Sequence, residues 1–313
     1  MKHTIKVLAG AASCAAVALA ASMGAAQAKD VTLGLAVANL QAPFFNFIKR
    51  AVNEAADKAG DKVITADANG DSAKQVSQVQ DLISRNVKAL IYIPAGATAA
   101  AIPVKAARKA HIPVVSVDRN PPTDPADSFI ATDSVQAAKD LGDYICKDVG
   151  GKGTMAIIQG QIGTTPQVDR TKGMKEALAK CPGIKVVTRQ ASKQWHEDEG
   201  FNIAQAMLQR NPDITIIWGQ ADALALGAAQ ALKSAHLGHK VHVYGFDGDP
   251  SGLKAVKSGA IDATMCQKTN YMGKLAYETA IKLIDGKTAP KVQLQPAVLV
   301  NKGNADKYIA NHP

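Results

Sequence analysis

From Val31 onward, short apolar runs rich in β-branched residues alternate with segments whose apolar positions recur at helical spacing. The runs cover residues 31–37, 62–66, 89–93 and 112–117 and predict strands. Between them, residues 44–59, 72–86 and 98–110 predict helices, with Val76, Val79, Leu82 and Ile83 marking one apolar stripe. Strands that are apolar throughout and separated by helices imply a parallel sheet covered on both faces.

After Asp133 and a helix ending near Val149, the alternation restarts. Strands are predicted over 154–158, 184–188, 214–218, 241–246 and 261–266, and helices over 166–180, 197–210, 222–235 and 250–258. The predicted fold class is therefore α/β, with two doubly wound parallel-sheet lobes. No linker rich in proline, glycine or charge separates the halves, so short crossings rather than a tether should join them.

The first 28 residues break this pattern. Lys2 and Lys6 precede an uncharged, Ala- and Gly-rich stretch over 7–25, and Ala26-Gln27-Ala28 supplies a small-x-small exit. A membrane anchor is the competing reading, but small residues dominate the stretch and favour cleavage. Cys14 lacks the Leu that precedes lipid-modified cysteines. A cleaved signal peptide is expected, with a periplasmic mature chain beginning near Lys29.

Composition narrows the function. Of 313 residues, 47% are hydrophobic and 20% charged, which fits a packed globular chain. The net charge of +9 raises the question of nucleic acid, yet 36 Lys and Arg are interspersed with 27 Asp and Glu without a basic run. Nucleic-acid binding is not expected. The absence of a Cys-x-x-Cys pair or a Cys/His cluster argues against a metal site, and no cofactor is expected.

In open α/β sheets, ligands bind outside the carboxyl ends of the strands. Those exits carry Asn39 and Gln41 before Phe44 and Phe45, then Asp118 and Arg119, Gln167 after the next exit, Trp195, Gln220, Asp247 and Gln267. Aromatic faces, carboxylates, a guanidinium and amides together suit a polyhydroxylated ligand, since carboxylates accept from hydroxyls, Arg and amides donate, and rings cover CH surface. Each residue also has a plain structural reading. Phe44 and Phe45 could be core, Asp118 and Arg119 a surface salt bridge, Asp247 a helix cap and Trp195 a loop aromatic. Their shared position at one edge of both sheets favours the functional reading.

Four motifs in order carry a family resemblance: Pro43-Phe44-Phe45, Val117-Asp118-Arg119, Ala223-Leu224-Ala225-Leu226-Gly227 and Gly245-Phe246-Asp247-Gly248. Behind a signal peptide, this series resembles the periplasmic sugar-binding proteins of the ribose-binding type across the whole mature chain. The resemblance implies a type I periplasmic binding fold with a three-crossing hinge and ligand in the cleft. It places residues 29–131 with about 268–295 in the N-terminal lobe, and 132–267 with about 296–313 in the C-terminal lobe. It also implies an ABC importer permease as partner, a chemoreceptor as a further one, and a monomeric chain.

By the same resemblance, Phe44, Phe45 and Trp195 match aromatic walls around the sugar, Asp118 and Arg119 the first lobe's polar pair, Asp247 the second lobe's carboxylate, and Gln267 an amide near the hinge. Ala38, Ala42, Val168 and Ala221 stand where ribose binders place polar groups, Val168 in place of an Arg. Each sugar hydroxyl left unpaired in a closed cleft costs about 1–3 kcal/mol. Ribose itself is therefore not the expected ligand, unless Asn39, Gln41, Gln167 and Gln220 supply replacement amides. The expected ligand is a small neutral monosaccharide of pentose size or a polyol.

Rival functions lack their motifs. Gly160-Gln161-Ile162-Gly163 is not a dinucleotide fingerprint, and no nucleophile elbow, Walker loop or His-Glu-x-x-His occurs, so no enzyme is expected. A sugar-responsive repressor would carry an N-terminal helix-turn-helix where this chain has a leader. Cys146 and Cys181 end neighbouring predicted helices one strand apart, and if those helices pack side by side a disulfide is expected in an oxidising compartment, two separate buried thiols being the alternative. Cys266, at a lobe crossing, is expected to be the free thiol.

Overall fold

The computed structural model describes residues 31–235 and 237–312, together with Met1. The leader expected over 1–28 lies outside the described residues, Met1 apart. The chain opens with β1 (Thr32–Val37), α1 (Pro43–Ala59), β2 (Lys62–Asp67), α2 (Ser72–Ser84), β3 (Ala89–Tyr92), α3 (Ala101–Lys109), β4 (Val114–Val117) and β5 (Ser128–Thr132). A second series follows: α4 (Ser134–Asp148), β6 (Gly153–Gln159), α5 (Thr165–Leu178), β7 (Ile184–Ala191), α6 (Glu197–Arg210), β8 (Ile216–Gly219), α7 (Asp222–Ala235), β9 (His242–Tyr244), α8 (Pro250–Ser258) and β10 (Ala263–Cys266). The chain then runs through α9 (Thr269–Ile284) and β11 (Val292–Gln295) before closing with β12 (Val298–Asn301) and α10 (Ala305–Ala310).

Two six-stranded sheets result, ordered β11-β5-β4-β3-β1-β2 and β12-β10-β9-β8-β6-β7. The strands β3 and β4 are buried along their whole length, because apolar side chains on both faces meet helices on both faces. All pairings between strands are parallel except β10 with β12, so the second sheet carries an antiparallel edge that the sequence reading did not include. Since α9 packs on α1 and β11 joins β5, residues 269–295 complete the N-terminal lobe, while β12 completes the other. The chain therefore crosses between the lobes at 132–134, 266–269 and 295–298.

The carboxyl ends of the parallel strands in both lobes face one another. Loops beyond them touch across the gap: Asn39 Nδ2 lies 2.9 Å from His196 Nε2, and the Asn120 amide donates to Thr165 Oγ1 at 3.0 Å. The lobes are thus closed on a cleft. In the C-terminal lobe, α4 and α5 pack side by side, and a disulfide joins Cys146 to Cys181 with their Cα atoms 6.2 Å apart. Cys266 is a buried free thiol.

Candidate functional site

The cleft encloses about 440 Å³ between the lobes, a volume typical of small-molecule sites. One wall comes from the start of α1, where Pro43 supplies the pre-set φ of a first helical residue. Phe44 and Phe45 follow, at 6% and 5% exposure, with ring centroids 5.2 Å apart in an edge-to-face arrangement. They pack into the N-terminal core and also line the cleft, so both readings of these residues hold at once. The facing wall is Trp195, in the loop before α6. Gly160 lies against its indole, where an added Cβ would come within 1.8 Å of the ring. Any other residue at 160 would push Trp195 away.

Each lobe contributes one carboxylate–guanidinium pair. In the N-terminal lobe, Asp118 follows β4 and lies 3.5 Å from Arg119, and both are buried rather than at the surface. Arg119 Nη1 also donates to the carbonyls of Pro94 (3.1 Å) and Ala95 (3.4 Å), and its guanidinium sits 5.2 Å from the Phe45 ring centre. In the C-terminal lobe, Asp247 lies 3.3 Å from Arg170. Arg170 Nη1 donates to the Gln220 carbonyl, and its guanidinium stacks 3.8 Å from the Phe246 ring centre. Trp195 stands between the two cations, 5.7 Å from Arg119 and 5.6 Å from Arg170.

Burial outweighs pairing at these groups. Desolvation pushes the Asp118 carboxyl up and the Arg119 guanidinium down despite their contact. It raises Asp247 to about 8, against the pull of Arg170, and Asp222 to about 6, against hydrogen bonds from Thr264 and two backbone amides. The backbone is also held in unusual conformations: Asp118 has φ 63°, Trp195 φ 65° and Asp247 φ 129°, regions that non-glycine residues seldom occupy. Three of the side chains facing the cleft are therefore aimed by backbone geometry that the surrounding fold must enforce.

Phe44, Phe45, Asp118, Arg119, Trp195 and Asp247 all line the cleft, as does Gln41. Gln267 does not. It is fully buried behind Asp247, donating from Nε2 to Asp247 Oδ1 at 2.7 Å and accepting from Thr132 Oγ1 at 2.6 Å, which links the carboxylate to a crossing segment. Asn39 is spent on His196, while Gln167 and Gln220 bond within the C-terminal lobe, to the amides of Gly163 (3.1 Å) and Gly160 (3.0 Å) and, from Gln220, to Thr171 (2.9 Å). These three do not replace cleft amides. Asp247 is not a helix cap either, since Asp249 occupies the position before α8.

The four substituted positions separate into two kinds. Ala42 and Ala221 line the cleft, whereas Ala38 is core and Val168 is half exposed on the outer side of α5. The guanidinium thought lost at Val168 is supplied by Arg170, two residues on. Sequence reasoning passed over it, although Gln167, Arg170, Met174 and Ala177 share the helical spacing of the buried face of α5. It also passed over Asp249, His196, Glu197 and Asp198, which line the same cleft. One set of possible metal donors among the described residues, Asp148, His242 and Asp262, lies at the opposite edge of the second sheet, where Lys240 is 3.3 Å from Asp262.

Comparison with known proteins agrees with this geometry. The periplasmic binding protein domain family matches residues 33–288. The ribose import binding protein RbsB of Escherichia coli is 37% identical over 272 residues, which cover 87% of this chain and 90% of that one. A xylitol-binding protein of Mycolicibacterium smegmatis is 31% identical over 305 residues, covering 96% and 86% respectively. An ABC transporter solute binding protein from Bacillus halodurans, solved with bound myo-inositol, superposes with a TM-score of 0.84 at 28% identity, covering 91% of this chain and 99% of that one.

Proposed function

We propose that the cleft of this chain, which belongs to the periplasmic binding protein family, captures a small sugar or polyol by lobe closure and presents it to an ABC importer. The observation that carries this reading is the matched pair of polar clamps, Asp118 with Arg119 on one lobe and Asp247 with Arg170 on the other, facing each other between aromatic walls. Carboxylates accept hydrogen bonds from hydroxyls, guanidinium groups donate to hydroxyl and ring oxygens, and Phe44, Phe45 and Trp195 cover the CH faces.

A ligand held by both clamps favours the closed arrangement because only that arrangement provides both sets of contacts. Closure also forms the bonds from Asn39 to His196 and from Asn120 to Thr165. The importer permease would then recognise the closed pair of lobe surfaces, in the periplasm, where relatives of this family work. No turnover is assigned to the cleft: Asp118 and Asp247 are each tied to a guanidinium, and Asp247 also to Gln267, an arrangement for holding hydroxyls rather than moving protons. With only methyl groups at Ala42 and Ala221, a ligand other than ribose is favoured, of pentose to cyclitol size.

A thermal-shift screen of the mature chain against pentoses, hexoses and polyols tests this. A ligand at 100 times its Kd should stabilise the folded state by about 2.7 kcal/mol and raise the melting temperature. A panel in which nothing shifts it would remove the proposal. Stabilisation by ribose alone would show that Ala42 and Ala221 leave no subsite unfilled.

A further inference from the structure

The charges in the cleft do not balance once Arg170 and Asp249 are included. Asp118 is paired with Arg119 and Asp247 with Arg170, and Asp222, fully buried beneath the cleft, is satisfied by Thr264 Oγ1 (2.5 Å) and the Asp249 amide (2.8 Å). Asp249 is the remainder. Its side chain lines the cleft, it is 5% exposed, and among the described residues no hydrogen bond or ion pair reaches its carboxylate. Burial and the neighbouring charges of Asp247 and Asp222 hold its carboxyl well above the usual range against the pull of Arg170, and a further cation in the cleft would favour the ionised form.

Few side chains near Asp249 are free to donate to it. Ala221 and Ala223, which flank Asp222, have no polar side-chain atom, Ser251 lies two residues on, and Arg170, the cation whose charge acts on Asp249, is paired with Asp247 and bonded to the Gln220 carbonyl. A sugar hydroxyl can donate one bond to the ionised carboxylate. An ammonium group only donates, through three N–H bonds, and it carries the charge that Asp249 lacks.

We propose that this end of the cleft binds a protonated amine, and that the preferred ligand is an amino-substituted sugar or cyclitol whose nitrogen is held by Asp249. The inference rests on the cleft being a polyol site. It departs from the neutral ligand expected from sequence, because the strand-exit residues behind that expectation included neither Arg170 nor Asp249.

Calorimetric titration of the mature chain with matched pairs tests it: D-glucosamine against D-glucose, D-galactosamine against D-galactose, and an inosamine against myo-inositol. At least one amine should bind about tenfold or more tightly than its parent, the scale of one charge-assisted contact. Asp249→Asn should collapse that ratio toward one, and Ser251→Lys, which brings a protein ammonium to the same subsite, should do likewise. Melting curves of each variant show whether it is folded. If parent polyols bind and no amine binds more tightly, or if the ratio survives both substitutions, the amine subsite is wrong while the polyol cleft stands. If neither the amines nor any neutral sugar or polyol binds, both readings fall together.

Discussion

Breaking the Cys146–Cys181 disulfide should weaken the fold and spare the cleft. The bridge closes a loop with a sequence separation of 35, tying the end of α4 to the segment that follows α5. In the chain-entropy account, a loop of that length withholds about 13 cal/mol/K from the unfolded ensemble, or about 4 kcal/mol near room temperature. The two helices already pack along their length, with Gly142 so close to Ala177 that an added Cβ would fall within 2.5 Å of it, so the native arrangement does not depend on the bond. The full entropic term should therefore appear as lost stability. Urea unfolding of the oxidised protein and of the Cys146→Ser/Cys181→Ser variant would measure it. The expected result is a lower midpoint with a steeper slope, because the unfolded chain without the cross-link exposes more surface, about 4 kcal/mol between the extrapolated stabilities, and ligand affinity unaltered. Coincident curves, or a variant that no longer binds, would refute this reasoning. Thiol titration of the unfolded, unreduced mature chain should find one thiol, Cys266; three would mean the bridge does not form.

Other outcomes follow from the cleft. Gln267→Leu removes the bond to Asp247 without touching the cleft surface, and titration should show affinity lowered by roughly five- to hundredfold, the cost of one unmade bond to a carboxylate. Trp195→Ala should weaken binding about tenfold or more by opening one wall, whereas Val168→Ala, on the exposed side of α5, should leave the Kd within about twofold. The buried carboxyls predict a pH effect on the unliganded protein. Their folded pKa values lie above the unfolded carboxylate value, so their contribution to stability is present in full below about pH 4 and is lost as pH rises through about 6 for Asp222 and about 8 for Asp247. Melting temperatures across that window should therefore fall less steeply in Asp247→Asn than in the parent, and equal slopes would remove Asp247 from the account.

The strand and helix alternation was legible because apolar runs and helical stripes are local. The three strands that escaped are short and atypical: β5 is a Ser- and Thr-containing segment, β11 alternates exposed and half-buried positions at an edge, and β12 pairs antiparallel. Edge strands owe their conformation to a neighbour contributed by distant sequence. The same limit applies to the site. Phe44, Phe45, Asp118, Arg119, Trp195 and Asp247 could be found by position, since they follow strands and share motifs. Arg170 was missed although it shares the spacing of the buried face of α5, because a charged residue within a helix reads as solvated surface until the fold places it 3.3 Å from Asp247 and over Phe246. Gln267 was found by position, and the structure places it behind the Asp247 carboxylate, bonded to it. Asp249 was missed because its neighbour Asp247 already accounted for a carboxylate at that strand end, and only packing reveals that it lacks a partner.

The central claim is that a ligand held between the two clamps closes the lobes. Small-angle scattering of the mature protein, free and saturated with whichever sugar or polyol stabilises it, tests that directly. The account predicts a larger radius of gyration for the free protein and a contraction on saturation to the profile calculated from the closed structure, abolished when Asp118→Ala and Asp247→Ala are combined. An unchanged radius at a ligand concentration shown by calorimetry to be saturating would contradict it.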